Sequence, residues 1–172
     1  MSSLNKNTFY KIILSYLPTI LLFFSVFNKF DFNYLQMKYF SFNFVYILIF
    51  YWTLKNPNLL GYLSIFLAGV INDVVIGLPM GVSSLSYLLI CAATAYIRDI
   101  TLRPHFVKDW ISFLFTILVV SSSHIFILDL IFSLKSDYTI YFSNLGITFI
   151  LYPLFFFIFN YLNPKKIIKE ND

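Results

Sequence analysis

Residues 59–97 read LLGYLSIFLAGVINDVVIGLPMGVSSLSYLLICAATAYI, two long apolar runs on either side of the break Gly77–Gly81. A bilayer core about 30 Å thick is crossed by about 20 mostly apolar residues in a helix. Two such runs joined by two glycines and a proline describe a helical hairpin in lipid, where the backbone must satisfy its own hydrogen bonds and Gly and Pro mark the turn. The pattern continues in both directions. Apolar runs occupy approximately 12–27, 39–54, 59–76, 82–97, 110–132 and 141–162. The breaks between them are polar: Asn28–Lys38, Lys55–Asn58 around Pro57, Gly77–Gly81, Arg98–Asp109 around Pro104, and Lys135–Asp137. None of the runs alternates apolar with polar residues as a barrel strand does. The expected fold is all-α, a polytopic membrane protein of about six transmembrane helices in one domain over residues 1–172.

Composition agrees. Hydrophobic residues make up 59% of the chain and charged ones 12%, against about a quarter charged in soluble domains, and the mean hydropathy is +0.79. Six crossings with short connections account for the length, so no soluble catalytic domain is expected. The 22 Phe and 13 Tyr come with abundant Ile, Asn and Lys, a joint bias that reads as AT-rich coding and not as an aromatic ligand cage. The net charge of +4 is spread singly between apolar runs, so nucleic acid is not the expected partner. Cys91 stands alone, which excludes an internal disulfide and leaves a small packing residue. Lys6 and Lys11 before 12–27 resemble a signal peptide, but Asn28, Lys29 and Phe30 offer no small-residue cleavage site, so this run is kept as the first span.

Lys and Arg are retained on the cytoplasmic side of a membrane. Counted on alternate sides of six spans, one face holds Lys6, Lys11, Lys55, Arg98, Arg103, Lys108, Lys165, Lys166 and Lys169, and the other only Lys29, Lys38 and Lys135. Both termini are therefore expected in the cytoplasm. Segment Asn28–Lys38, with Phe30, Phe32 and Tyr34 between polar residues, reads either as an interfacial stretch or as an ordinary loop.

Polar side chains inside a bilayer cost about 2.5 to 3.5 kcal/mol for an Asp at mid-helix, so each one present has a reason. Asp73, with its neighbour Asn72, falls in the third span, and His124 and Asp129 fall in the fifth. The expected topology puts all of them in the outer half of the membrane. The plain structural readings are that Asp73 bonds the start of the Gly77–Gly81 turn, that Asp129 reaches the interface near Lys135, and that His124, after Ser121, Ser122 and Ser123, is helix-packing glue. Ser123 and His124 point about 100° apart on a helix and cannot form a nucleophile and base pair by themselves. Helix capping accounts for Ser83 and Ser84 after Gly81. His105 and His124 fall on opposite sides of the membrane, so no metal site is expected. Gly61, Ala68, Gly69, Asn72, Asp73 and Gly77 share one face of the third span, a small-residue seam that lets another helix of this chain or of a partner approach closely. No catalytic residue or cofactor is assigned.

The stretch Gly69–Leu85, GVINDVVIGLPMGVSSL, spaces Gly69, Asp73, Gly77, Pro79 and Gly81 in a way that resembles the signature of the rod shape-determining protein MreD family. Upstream, Tyr51–Pro57 (YWTLKNP) is similar to the family's aromatic segment, in which Trp52 is followed by a basic residue and Pro57; downstream, the basic loop before Asp109 and Trp110 also fits. The likeness covers about 51–110, and the Arg-Pro often found before the second span is replaced by Met37 and Lys38.

The resemblance implies a multi-pass protein of the bacterial inner (plasma) membrane, without catalytic activity. It would be a scaffold of the cell-elongation complex, binding MreC and helping to couple MreB filaments to peptidoglycan synthesis by RodA and its transpeptidase partner. On it, Asp73, Gly77, Pro79 and Gly81 shape a periplasmic turn, and Gly69 admits a neighbouring helix. Asn72, Trp52, Pro57, His124 and Asp129 complete the structural or partner-binding candidates. The family in turn resembles the six-helix substrate-binding component of energy-coupling factor transporters. This gives an expected fold and an alternative function, a vitamin-binding transporter subunit, although that component docks through spaced Ala residues in its first span and 12–27 contains none.

Overall fold

Each apolar run forms a helix. The computed structural model describes residues 2–27, 41–101, 105–133 and 137–162, with side chains from Ser15 onward. Segment Asn28–Lys38 and the basic residues Arg103, Lys135, Lys165, Lys166 and Lys169 lie outside the described residues. The helices are α1 (Ser2–Phe27), α2 (Phe44–Lys55), α3 (Tyr62–Ile76), α4 (Val82–Ile100), α5 (Phe106–Leu130) and α6 (Tyr138–Tyr161), with a single 3-10 turn at Pro57–Leu59. Among the described residues, α5 and α6 are long and apolar enough on their own to cross a membrane, while 15–27, α2 and α3 are shorter apolar helices.

The centre of the bundle is α2. It is apolar all round, and ten of its twelve residues, Phe44 to Thr53, are buried. A helix with no polar face is stable only when protein or lipid surrounds it; here α1, α4 and α6 do so. Its aromatic rings set the packing: Phe50 meets Phe113 of α5 edge to face at 5.0 Å and Tyr152 of α6 at 5.7 Å. Such geometries are worth about 0.5–1.5 kcal/mol beyond area burial. Large apolar side chains also point outward, among them Leu63, Phe115, Phe142, Ile150 and Phe157.

The helix starts differ from the apolar runs in ways that polar contacts explain. Helix α2 begins at Phe44 and not near residue 39, after Asn43, whose backbone N–H donates to the Thr148 hydroxyl of α6 at 2.9 Å. The third run is divided, because Pro57–Leu59 forms the 3-10 turn and α3 starts only after Gly61. Helix α4 extends to Ile100. Helix α5 starts at Phe106, four residues before the apolar run, with the His105 side chain accepting from the Val107 N–H at 3.4 Å. At α6, the Asp137 carboxylate accepts from the Thr139 N–H at 3.3 Å and moves the start to Tyr138.

Among the described residues, Lys55 and Arg98 lie at one end of the bundle. Lys55, at the end of α2, donates to Asp109 Oδ2 in the first turn of α5 at 2.7 Å, and its Nζ lies 5.5 Å from the centre of the Phe156 ring. Arg98, near the end of α4, donates to the Thr53 carbonyl at 3.3 Å. The Asp109 side chain is only 4% exposed. Removing one member of such a pair strands the other charge. Lys55→Met is therefore expected to lower stability by about 2 kcal/mol, while Lys55→Met with Asp109→Leu recovers most of the loss. Unfolding in mixed detergent micelles measures both; equal losses in the single and double variants would exclude the stranded-charge explanation.

Candidate functional site: the Asp73 turn

At the other end of the bundle, α3 and α4 share the most extensive contact among the described helices, and Gly69 explains how. A Cβ built on it would sit 2.3 Å from Ser84 Cα and 2.6 Å from Ser84 N. The α4 backbone therefore occupies the place a side chain would need. The Ser84 hydroxyl closes the contact by donating to the Phe66 carbonyl at 3.1 Å. The middle of the small-residue seam of α3 thus packs on α4 of the same chain, with Ala68, Gly69 and Asp73 buried, while Gly61 and Gly77 cap the helix ends and are exposed.

Asp73 is fully buried and ties the turn with both its backbone and its side chain. Its carbonyl accepts the N–H groups of Gly77 and Leu78, each at 2.9 Å, which closes the end of α3. Its carboxylate spans the turn: Oδ2 accepts from the Gly81 N–H at 2.7 Å and Oδ1 from the Ser83 N–H at 2.9 Å. These N–H groups belong to the first turn of α4 and have no partner within that helix. A carboxylate at a helix N-terminus also complements its dipole. Asp73 is thus a cap for α4 supplied from α3. Asn72 adds a parallel link, its Nδ2 donating to Ser83 Oγ at 2.9 Å.

Gly77 and Gly81 carry φ angles of +76° and +101°. Both lie in the left-handed region, which costs about 1–2 kcal/mol for a residue with a Cβ. Between them, Pro79 accepts from the Val82 N–H at 3.4 Å, and the Met80 side chain projects outward, 76% exposed. The turn is a fixed shape presented at the end of the bundle. With both carboxylate oxygens engaged by backbone, Asp73 is arranged to hold structure and not to move a proton.

His124 of α5 joins the same end of the molecule from a third helix. Its Nδ1 is 2.9 Å from the Ser86 hydroxyl of α4, which also lies 2.9 Å from the Val82 carbonyl. Two of the three preceding serines are not drawn in: Ser122 and Ser123 donate to carbonyls one turn back, at Leu118 and Val119. Sequence reading named His124 but not its partner, because Ser86 and His124 are 38 residues apart and no local spacing couples them.

The remaining candidates lie elsewhere. Asp129 is at the α5–α6 corner, where its Oδ2 accepts from the Tyr138 hydroxyl at 2.6 Å. Trp52 is fully buried at the opposite end of α2, 6.1 Å from Phe159, and Pro57 opens the 3-10 turn. Neither touches the Asp73 turn. Among the described residues, no three His, Cys, Asp or Glu side chains come together as a metal set would require.

No family model, curated protein or solved structure matches the chain.

Proposed function

We propose that this chain is a non-catalytic scaffold of the bacterial inner membrane, crossing it six times with both termini in the cytoplasm. On this reading it belongs to the cell-elongation complex, where it binds MreC and helps couple MreB filaments to peptidoglycan synthesis by RodA and its transpeptidase partner. One observation carries most of the support. Gly69, Asp73, Gly77, Pro79 and Gly81, the residues on which the MreD resemblance rests, belong to one hydrogen-bonded unit, the α3–α4 junction, with Gly69 and Asp73 buried and Gly77 exposed. Both oxygens of its only carboxylate are committed to backbone N–H groups. Such a unit presents a rigid surface to a partner and offers no free acid or base to a substrate.

The two ends of the bundle support the orientation. Lys55, Arg98 and Asp109 cluster at one end, and the Asp73 turn lies at the other. Retention of basic residues inside makes the Asp73 turn periplasmic.

The test is copurification. Tagged wild-type chain is expected to capture MreC from solubilised membranes. Gly77→Leu, which forces a branched side chain into the left-handed region at +76°, is expected to reduce capture several-fold and to round up rod-shaped cells. Normal MreC capture and normal shape in both Gly77→Leu and Asp73→Ala would remove the scaffold reading. Thermal stabilisation of the purified chain by vitamins, without MreC capture, would replace it with the transporter-subunit alternative.

A further inference from the structure

Behind the Asp73 turn, all six helices border a cavity of about 430 Å³. An engineered protein cavity of about 150 Å³ accommodates benzene, so this one offers roughly three times that space. Its walls are mixed. Phe42, Phe44, Ile76, Leu78 and Leu145 supply apolar surface, while Asn72, Ser83, Ser121, His124 and Asn144 supply hydrogen-bonding groups. No Lys, Arg, Asp or Glu is among the described residues that line it. The described walls offer a charged ligand no counter-charge for the water it would lose, so the groups they present suit an uncharged one.

The hydrogen-bond network decides which polar groups remain available. Ser86 has one hydroxyl proton, and helical serines give theirs to the carbonyl one turn back, here Val82 at 2.9 Å. Ser86 then accepts from His124 Nδ1–H. In the uncharged ring this leaves Nε2 with a lone pair on a residue that is 8% exposed and lines the cavity. The Asn72 amide gives an N–H to Ser83 and keeps its carbonyl oxygen as an acceptor. Asn144 is held by Ser41 at 2.7 Å and by Thr148 at 3.3 Å, so it supports the wall.

We infer that this cavity is a binding site for a small uncharged ring compound bearing N–H or O–H donors, with His124 and Asn72 as the accepting side chains. A free nucleoside-like or sugar-like molecule and the neutral sugar headgroup of a lipid share that chemistry. The inference goes beyond the scaffold reading and is independent of it: MreC capture tests one, and ligand occupancy tests the other.

The test uses the full chain purified in detergent. Native mass spectrometry is expected to show wild type carrying an adduct of metabolite or lipid mass that is lost from His124→Phe and from Ser121→Leu. Uridine as the free probe, or nanodiscs containing a galactosyl lipid as the headgroup probe, is expected to raise the wild-type Tm by about 2–4 °C and to leave both variants unmoved. A small adduct or a response to uridine assigns the free source; a lipid adduct or a response to the galactosyl lipid assigns the headgroup. Wild type that carries no adduct and responds to neither probe overturns the proposal, as do variants that behave like wild type. Ser121→Leu narrows the cavity without touching the Ser86–His124 bond, so it decides the matter alone should His124→Phe fail to fold.

Discussion

Asp73→Ala is expected to be the most damaging single substitution in the described chain, lowering stability by about 4 kcal/mol. It removes both acceptors for Gly81 and Ser83 N–H at a position closed to water. Hydrogen bonds to charged acceptors contribute about 1.5–3 kcal/mol each, and a buried donor left without a partner incurs its desolvation penalty. Asp73→Asn, nearly the same shape, keeps one side-chain oxygen as an acceptor and is expected to recover about half the loss. Equilibrium unfolding in mixed detergent micelles provides the comparison. An Asp73→Ala protein within about 1 kcal/mol of wild type would show that water or a shifted backbone caps α4 equally well. On the scaffold reading, MreC capture falls in the same order: wild type, Asp73→Asn, Asp73→Ala.

Gly69→Ala is expected to cost about 3 kcal/mol, an effect out of proportion to one added methyl group. At most helix positions alanine in place of glycine is favourable by about 1 kcal/mol. Here the added carbon would meet Ser84 Cα and N, which are backbone atoms and cannot rotate away. The helices must separate, and overpacking of this kind costs about 1–3 kcal/mol. Separation also stretches the Ser84–Phe66 and Asn72–Ser83 hydrogen bonds. Gly146 of α6 is the internal control, because a Cβ there meets nothing within 4 Å; Gly146→Ala is expected to be neutral or stabilising. Similar effects at the two glycines would mean that the α3–α4 contact is looser than the geometry describes.

The two predictions concern the part of the molecule that the sequence announced best. Gly77, Pro79 and Gly81 break the apolar pattern within five residues, so the end of α3 and the start of α4 follow from backbone rules alone. The buried carboxylate at Asp73 could be singled out because an acid in an apolar run requires a partner. That it would cap α4 through two backbone N–H groups follows once the turn is closed. The start of α5 was harder to read. Lys108 and Asp109 look like loop residues, yet both are helical, because Asp109 is neutralised by Lys55 from 54 residues away. The division of the third run at Leu60 and Gly61 follows the 3-10 turn that Pro57 opens, and the late start of α2 depends on a contact with α6 that no periodicity records. For the same reason the Ser86–His124 link and the cavity beside it had no local signal, since six separate segments contribute to the walls.

Helix α4 keeps its serines and threonine inside. Ser83, Ser84, Ser86 and Thr94 are all buried, and the helix is not among those apolar enough to cross a bilayer alone. On the membrane reading, Ser83 and Ser84 become tolerable only when α3 already covers them. Newly made α4 would then leave the translocation channel for lipid together with α3, as a preassembled pair, and the Asp73 carboxylate would act first as an assembly clamp during biogenesis and only afterwards as part of a finished surface.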